Sequence, residues 1–297
     1  MPTARSLSGR SSAERTQLEL FRSVPGDLAA RDAQDLMAWP FFSLAKSRRT
    51  APIDFRMGAT WISVEAVPEH GMATIWDADV LIWAASQLIE ARDAGRPTSR
   101  LMVTTPHEIL AFTRRGTGKA SYKRLKAALD RLQSTTVATS IRQQHQRRRH
   151  RFSWINEWRE LADGNGRALG IELILPDWFY AGVLDRALVL TIDRAYFDLT
   201  GGLERWLYRI VRKHGGRQSG GWSFDVPHLY LKSGVLSPLR RFAFELRAIV
   251  ARQPLPGYVL TLEHALVRDR LNFAPVPVDP FDAAMRRVGL KPVENWP

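Results

Sequence analysis

The sequence predicts an α+β fold of two tandem units, each running helix, helix, helix, hairpin. Three observations predict it. Helical periodicity over residues 77–94, after Pro106 and over 121–133 gives way to a Thr-, Val- and Ile-rich stretch at 135–142. The same order of elements recurs after residue 202 without obvious identity between the copies, a repeat of architecture alone. Positive charge is placed as well as abundant. Lys and Arg number 43 against 30 Asp and Glu in 297 residues, a net charge of +13, and between Thr113 and Ile155 there are 12 Lys or Arg against the single acid Asp130.

Residues 1–35 carry scattered Ser, Arg and Asp with weak periodicity and read as a flexible arm. A first domain is expected over 36–185, a second over 186–275, and a tail over 276–297. Within the first, residues 60–67 alternate enough for a strand. Residues 77–94 form the first strong helix, with Asp77 or Asp79 as cap and Val80, Leu81, Trp83, Ala84 and Leu88 as its apolar face. Gly95-Arg-Pro97 stops it. Thr105 caps a short second helix with Pro106 in its first position, and Gly116-Thr-Gly118 ends that helix. The third helix follows at 121–133. A strand at 135–142, a polar tip at 143–150 and a return strand at 152–161 complete a hairpin. Asp163-Gly-Asn-Gly166 is a turn before one more strand. In the second unit, helices are expected at 202–213, 226–232 and 237–252. A strand at 258–263 and its partner at 267–273 follow. The bulky aromatics Trp39, Phe41, Phe42, Trp61, Trp76, Trp83, Trp154 and Trp158 read as core. Helix, helix, helix and basic-tipped hairpin is the order of a winged-helix domain, a helix-turn-helix with a β-hairpin wing, here in two tandem copies.

In the third helix Leu125, Ala128, Leu129 and Leu132 fall at i, i+3, i+4 and i+7 and make one buried stripe. Lys123 and Ala127 then point away from the core, flanked by Arg124, Lys126 and Arg131, with Lys119, Ser121 and Tyr122 at the entry. Such a face suits a helix that enters a major groove: the small Ala127 allows close approach, and the cations reach guanine edges or phosphates. An ordinary solvated face is the alternative. The tip at 142–151 holds five Arg and two His. Arg142, Gln144, Arg147, Arg148, Arg149 and Arg151 are candidates for backbone or minor-groove contact, because unbalanced arginines repel one another without a polyanion. In the second unit Arg240, Arg241 and Arg247 lie opposite Phe242, Leu246, Ile249 and Val250, a second candidate groove helix. Arg205, Arg209, Arg212, Lys213 and Arg217 add basic charge on the helix and loop before it.

The same residues exclude several chemistries. A Walker A loop around Gly116-Thr-Gly-Lys-Ala120 would need Gly at 113 and Ser or Thr at 120, where the chain has Thr113 and Ala120. The seven histidines contain no His-x-His pair, so a metal-dependent nicking nuclease or primase lacks its ligands. Asp77-Ala-Asp79 is better read as helix capping than as a metal pair. The chain has no cysteine, so disulfides and thiolate metal sites are excluded. No catalytic residue, metal or cofactor is expected. The N-terminus lacks the apolar core of a signal peptide, and no apolar run reaches 18 residues, so a cytoplasmic protein without membrane contact is expected.

Five stretches resemble the plasmid replication initiator protein A family of proteobacteria. They are Trp39-Pro-Phe-Phe-Ser-Leu-Ala-Lys-Ser-Arg-Arg49 with Pro52-Ile-Asp-Phe55, Ala73-Thr-Ile-Trp-Asp-Ala-Asp-Val-Leu-Ile82, the third helix with its entry from Gly118, Leu190-Thr-Ile-Asp-Arg-Ala-Tyr-Phe197, and Leu203-Glu-Arg-Trp-Leu-Tyr-Arg-Ile-Val-Arg-Lys-His214. The likeness covers about residues 36–275. It implies a non-enzymatic protein that binds repeated double-stranded sites, iterons, at a plasmid origin. It further implies a host replication initiator and replicative helicase as partners, and homodimers able to repress their own gene. A winged-helix repressor without initiator activity is the first alternative. A DNA-processing enzyme such as a nicking nuclease or primase, for which no metal cluster or nucleophile is found, is the second.

Overall fold

In a computed structural model of the protein, residues 14–143, 150–165, 168–216, 218, 220–264 and 269–276 are described. The fold is α+β. Strands β1 (Leu20–Arg22) and β2 (Arg31–Ala33) lead into the short helix α1 (Gln34–Ala38). Three-residue strands carry no readable period, which is why the sequence suggests a free arm here. From Leu20 onward the structure instead builds this stretch into the body, with β1 parallel to a later strand and Phe21, Leu28 and Leu36 buried.

The hairpin β3 (Ile53–Met57) and β4 (Thr60–Glu65) follows, turned by Gly58 at φ +58°. Helix α2 (Ala78–Asp93) is buried on nearly every side, including Trp83 and Ile82 at 0% exposure. It is the central helix, consistent with an all-round apolar composition. Gly95 at φ +68° ends it, as the sequence predicts. Neither candidate makes the cap bond expected of it: Asp77 accepts from the backbone of Thr74 at 2.8 Å and from Arg131, and Asp79 faces Arg115 and Arg205.

Strand β5 (Leu101–Thr104) precedes α3 (Pro106–Phe112). Thr105 and Glu108 close a capping box there, with Pro106 at the first helical position. Helix α4 (Lys119–Ser134) buries Leu125, Ala128, Leu129 and Leu132, the predicted stripe. Each leucine of that stripe contributes about 1.5–3 kcal/mol by leaving water.

After α4 the structure keeps the start of the predicted hairpin and departs from its second half. Strand β6 (Thr136–Thr139) pairs with β7 (Arg151–Ser153), and both join the β3–β4 sheet, in the order β3-β4-β6-β7. The predicted continuous return strand is broken at Trp154 and Ile155, both 0% exposed. The chain dives into an aromatic core of Phe41, Phe42, Phe152 and Trp178, then emerges in a different sheet as β8 (Glu157–Ala162). Strand β9 (Ala168–Ile174) completes that sheet, in the order β1-β5-β9-β8.

Helix α5 (Asp177–Leu184) leads to β10 (Val189–Thr191), which pairs antiparallel with β2 and so joins the second half of the chain to the first. Helix α6 (Gly202–Gly215), strand β11 (Trp222–Asp225), helices α7 (Val226–Ser233) and α8 (Leu239–Arg252), and the hairpin of β12 (Tyr258–Glu263) and β13 (Arg270–Pro275) follow. Their sheet runs β11-β13-β12.

The repeat of element order extends to strand pairing. In both units the strand after the first helix pairs with the second strand of the closing hairpin: β5 with β9, and β11 with β13. The segment of β6 and β7 is an insertion in the first unit. One buried apolar cluster runs through both units, from Phe21 to Phe273.

Their junction also contains buried charge. Arg205 of α6 donates to both oxygens of Asp79 at 2.8 and 2.9 Å, and Arg115 donates to the same carboxylate at 2.8 Å. Arg209 makes a fork with Asp32 at 2.6 and 2.9 Å. Burial pushes the carboxyls of Asp32 and Asp79 up, against the pull of their arginines. The sequence counts Arg205 and Arg209 with the basic charge that precedes the second candidate groove helix; the structure buries both. Trp206, Leu207, Tyr208, Ile210 and Val211 are buried around them, so this part of α6 has no solvent face to offer.

Candidate nucleic-acid interface

The outer face of α4 is cationic because its leucines fix the inner one. Lys119, Lys123, Arg124 and Lys126 are exposed, and Ser121, Tyr122, Ala127 and Arg131 are half-buried. Lys119, Lys123 and Arg124 have no hydrogen-bond or ion-pair partner among the described residues. Two other candidates are engaged within the protein. Lys126 pairs with Glu160 of β8 at 2.7 Å. Arg131 forms a two-pronged bond with Asp77, both distances 2.7 Å, and those hydrogen bonds raise its pKa further.

The hairpin residues fall apart as a group. Arg142, at φ +59°, turns inward: its guanidinium lies 3.8 Å from the centre of the Trp178 ring and 2.8 Å from Asp35. Burial lowers its pKa, with Asp35 opposing. Arg151 is exposed and pairs with Glu65 across the sheet. Gln144, Arg147, Arg148 and Arg149 lie outside the described residues. The hairpin that flanks α4 is β8–β9, held there by Lys126–Glu160 and by the Trp158 indole donating to Asp130 at 3.2 Å. The predicted pairing of the strand after α4 with its return strand holds for β6 and β7. The sequence does not show that the return strand ends at Ser153 and that residues 157–162 belong to another sheet.

In the second unit Arg240, Arg241 and Arg247 are exposed on α8, with Phe242, Leu246 and Ile249 buried behind them. Arg241 pairs with Glu245 one turn on, at 2.7 Å. Arg212 donates to the Thr191 carbonyl at 2.8 Å, and Arg217 lies outside the described residues.

Two grooves connect the helices. One of about 670 Å³ runs along α4 and is lined by Arg115, Ser121, Arg124, Ala127 and Arg131. One of about 780 Å³ runs along α8 and is lined by Arg241, Phe244, Glu245, Ala248 and Arg252. Both share the wall of Lys46, Ser47, Arg48 and Trp76. The run from Lys46 to Arg49 is basic, but nothing in the sequence places it beside either helix. Only the fold does that.

Repeated scaffold and grooves define an α+β protein that presents one cationic helix from the equivalent place in each of two units. The chain belongs to the replication initiator protein A family, whose model matches residues 31–260. A protein of Wigglesworthia glossinidia brevipalpis described as "Putative replication protein" is 31% identical over 242 residues, which is 80% of this chain and 86% of that one. Two solved structures of domains 2 and 3 of RctB share the fold at 14% identity, with TM-scores of 0.61 and 0.55. Each covers 82% of this chain, and 98% and 97% of their own lengths are matched. Family membership makes replication initiation on DNA the activity class of the chain. Among the described residues, no helix is long and apolar enough to cross a membrane.

Proposed function

We propose that this protein initiates plasmid replication by binding repeated double-stranded sites, iterons, at the origin, as a binder rather than an enzyme. In this reading both units are winged helices. Helices α4 and α8 enter major grooves of one duplex, and the flanking hairpins meet its backbone. The observation that carries it is the equivalent placement of α4 and α8: each follows a shorter helix, each turns cations outward, and the two grooves share one wall. A net charge of +13 supports attraction to a polyanion. The host replication initiator and replicative helicase are the partners this role calls for. A dimer bound at the gene's own promoter would also repress it.

The test is a footprint on the DNA upstream and downstream of the gene. Two successive protected major grooves, about 10–10.5 base pairs apart and repeated in tandem, are expected. A plasmid carrying the gene and those repeats should replicate in a suitable host. Protection without replication would reduce the protein to a repressor, and protection confined to single-stranded DNA would end the winged-helix reading.

A further inference from the structure

The shared wall of the two grooves is a short strap, residues 44–49, and it is built to stand still. Its N-terminal end is fixed by Ser43, which bonds the backbone of Ala73 at 3.0 Å and of Ile75 at 2.9 Å. The Leu44 carbonyl rests against the start of α6, where only glycine fits: a Cβ on Gly202 would collide with it. The C-terminal end is fixed by Arg49, which is buried. Its guanidinium donates to the carbonyls of Ala51 and Pro52 at 2.9 Å and of Gly234 at 2.6 Å, and its own carbonyl accepts from Met72 at 2.8 Å. Between these anchors Ala45, Lys46, Ser47 and Arg48 are exposed. The Lys46 ammonium lies 5.8 Å from the centre of the Trp76 ring, and Arg48 donates to the Glu69 carbonyl at 3.1 Å.

The charge around the strap is unbalanced. The acids that line the two grooves are each matched already: Asp77 by Arg131, Glu204 by Arg252 and Glu245 by Arg241. Lys46 and Arg48 have no carboxylate partner among the described residues.

We propose that the strap is a third DNA contact, in which Lys46, Ser47 and Arg48 clamp the phosphates on either side of the minor groove that separates the two major grooves. This rests on the reading of α4 and α8 as groove helices. A preformed strap carrying two cations adds affinity without the ordering cost of a flexible basic loop, and phosphate contact adds it for every sequence alike.

The experiment uses the full chain with Lys46→Ala and Arg48→Ala together, checked by an unchanged melting temperature, beside a Lys123→Ala and Arg124→Ala variant. Binding to an origin fragment and to an unrelated duplex is titrated against salt, and the origin complex is footprinted with hydroxyl radicals. The strap variant should lose about 1.8 from the salt slope on both DNAs, from two phosphate contacts at about 0.9 each. Protection of the sugars between the two major grooves should disappear while the protection flanking it stays. An unchanged slope and footprint, with the α4 variant still losing the origin fragment, overturns the strap and leaves the groove helices standing. If neither variant changes binding, the whole face is misassigned. Lys46→Glu alone, at an exposed position, is a second check and should weaken both DNAs more than Lys46→Ala.

Discussion

The two units share a scaffold but not a surface. In the first, α4 turns Lys119, Lys123 and Arg124 to solvent with no partner among the described residues, and the only acid on that helix, Asp130, is held by Trp158. In the second, α8 pairs Arg241 with its own Glu245 and leaves Phe244 at 59% and Leu239 at 39% exposure. One helix is dressed for long-range attraction, the other for close contact, since an apolar side chain contributes only once water is excluded. The same order of elements therefore does not imply the same share of binding. The two units also reach one core by different routes: the first carries an insertion between helix and hairpin, and the second sends arginines inward from α6.

The largest expected effect breaks the link between the units. Arg209→Leu leaves Asp32 buried without its partner and should cost about 3–5 kcal/mol in chemical denaturation. Adding Asp32→Leu should return most of that loss. A single variant as stable as the parent would mean that the pair does not hold the halves together.

The next effect separates the two helices. Lys123→Ala with Arg124→Ala should cost about 1–3 kcal/mol on origin DNA if either residue reads a base. Arg240→Ala with Arg247→Ala should cost less, because fewer unpaired cations act there. Equal losses in a side-by-side binding assay would remove the asymmetry.

The smallest effect concerns pH and only the second unit. Burial, reinforced by Lys213, Lys232 and His228, lowers His214 from 6.5 to about 4. Its ring lies edge-on to Phe224, 5.0 Å between centres. Between those two values the unfolded chain binds a proton that the folded chain refuses. Stability attributable to this residue is thus complete above pH 6.5 and declines as pH falls toward 4. Melting temperatures of the parent and His214→Gln should converge over that interval. A constant difference would assign the slope elsewhere.

Much of this was legible in the sequence where local rules decide. The capping box at Thr105, the leucine stripe of α4, the start of α6 at Gly202 and strand β12 needed only propensity and period. What escaped depends on distant partners. Asp32 sits in no motif and Asp79 reads locally as a helix cap, and nothing local says that they await Arg209 and Arg205. The burial of those arginines had one local trace, the apolar run around them, which leaves a helix no wet side. Residues 152–161 look like one strand because β7 and β8 are separated by buried Trp154 and Ile155, which fit a strand pattern as well as a core. For the site, the cationic face of α4 was readable from its spacing. Its adjacency to Lys46 and Arg48 was not, because it arises from packing across the fold.

The carboxylate of Asp79 has one further consequence. It is held at once by Arg115, in the turn that leads into α4, and by Arg205, at the root of the second unit. If α4 and α8 are groove helices as proposed, a single side chain that ties their supports together would hold them like a caliper with its jaws locked. If one duplex spans both, the protein cannot stretch to suit a poorly spaced site, and the misfit must be taken up by twisting or bending the DNA. Smooth bending over such a length costs about 1–6 kcal/mol, enough to make the distance between half-sites part of the message. It would also load strain into the duplex beside which strands must part.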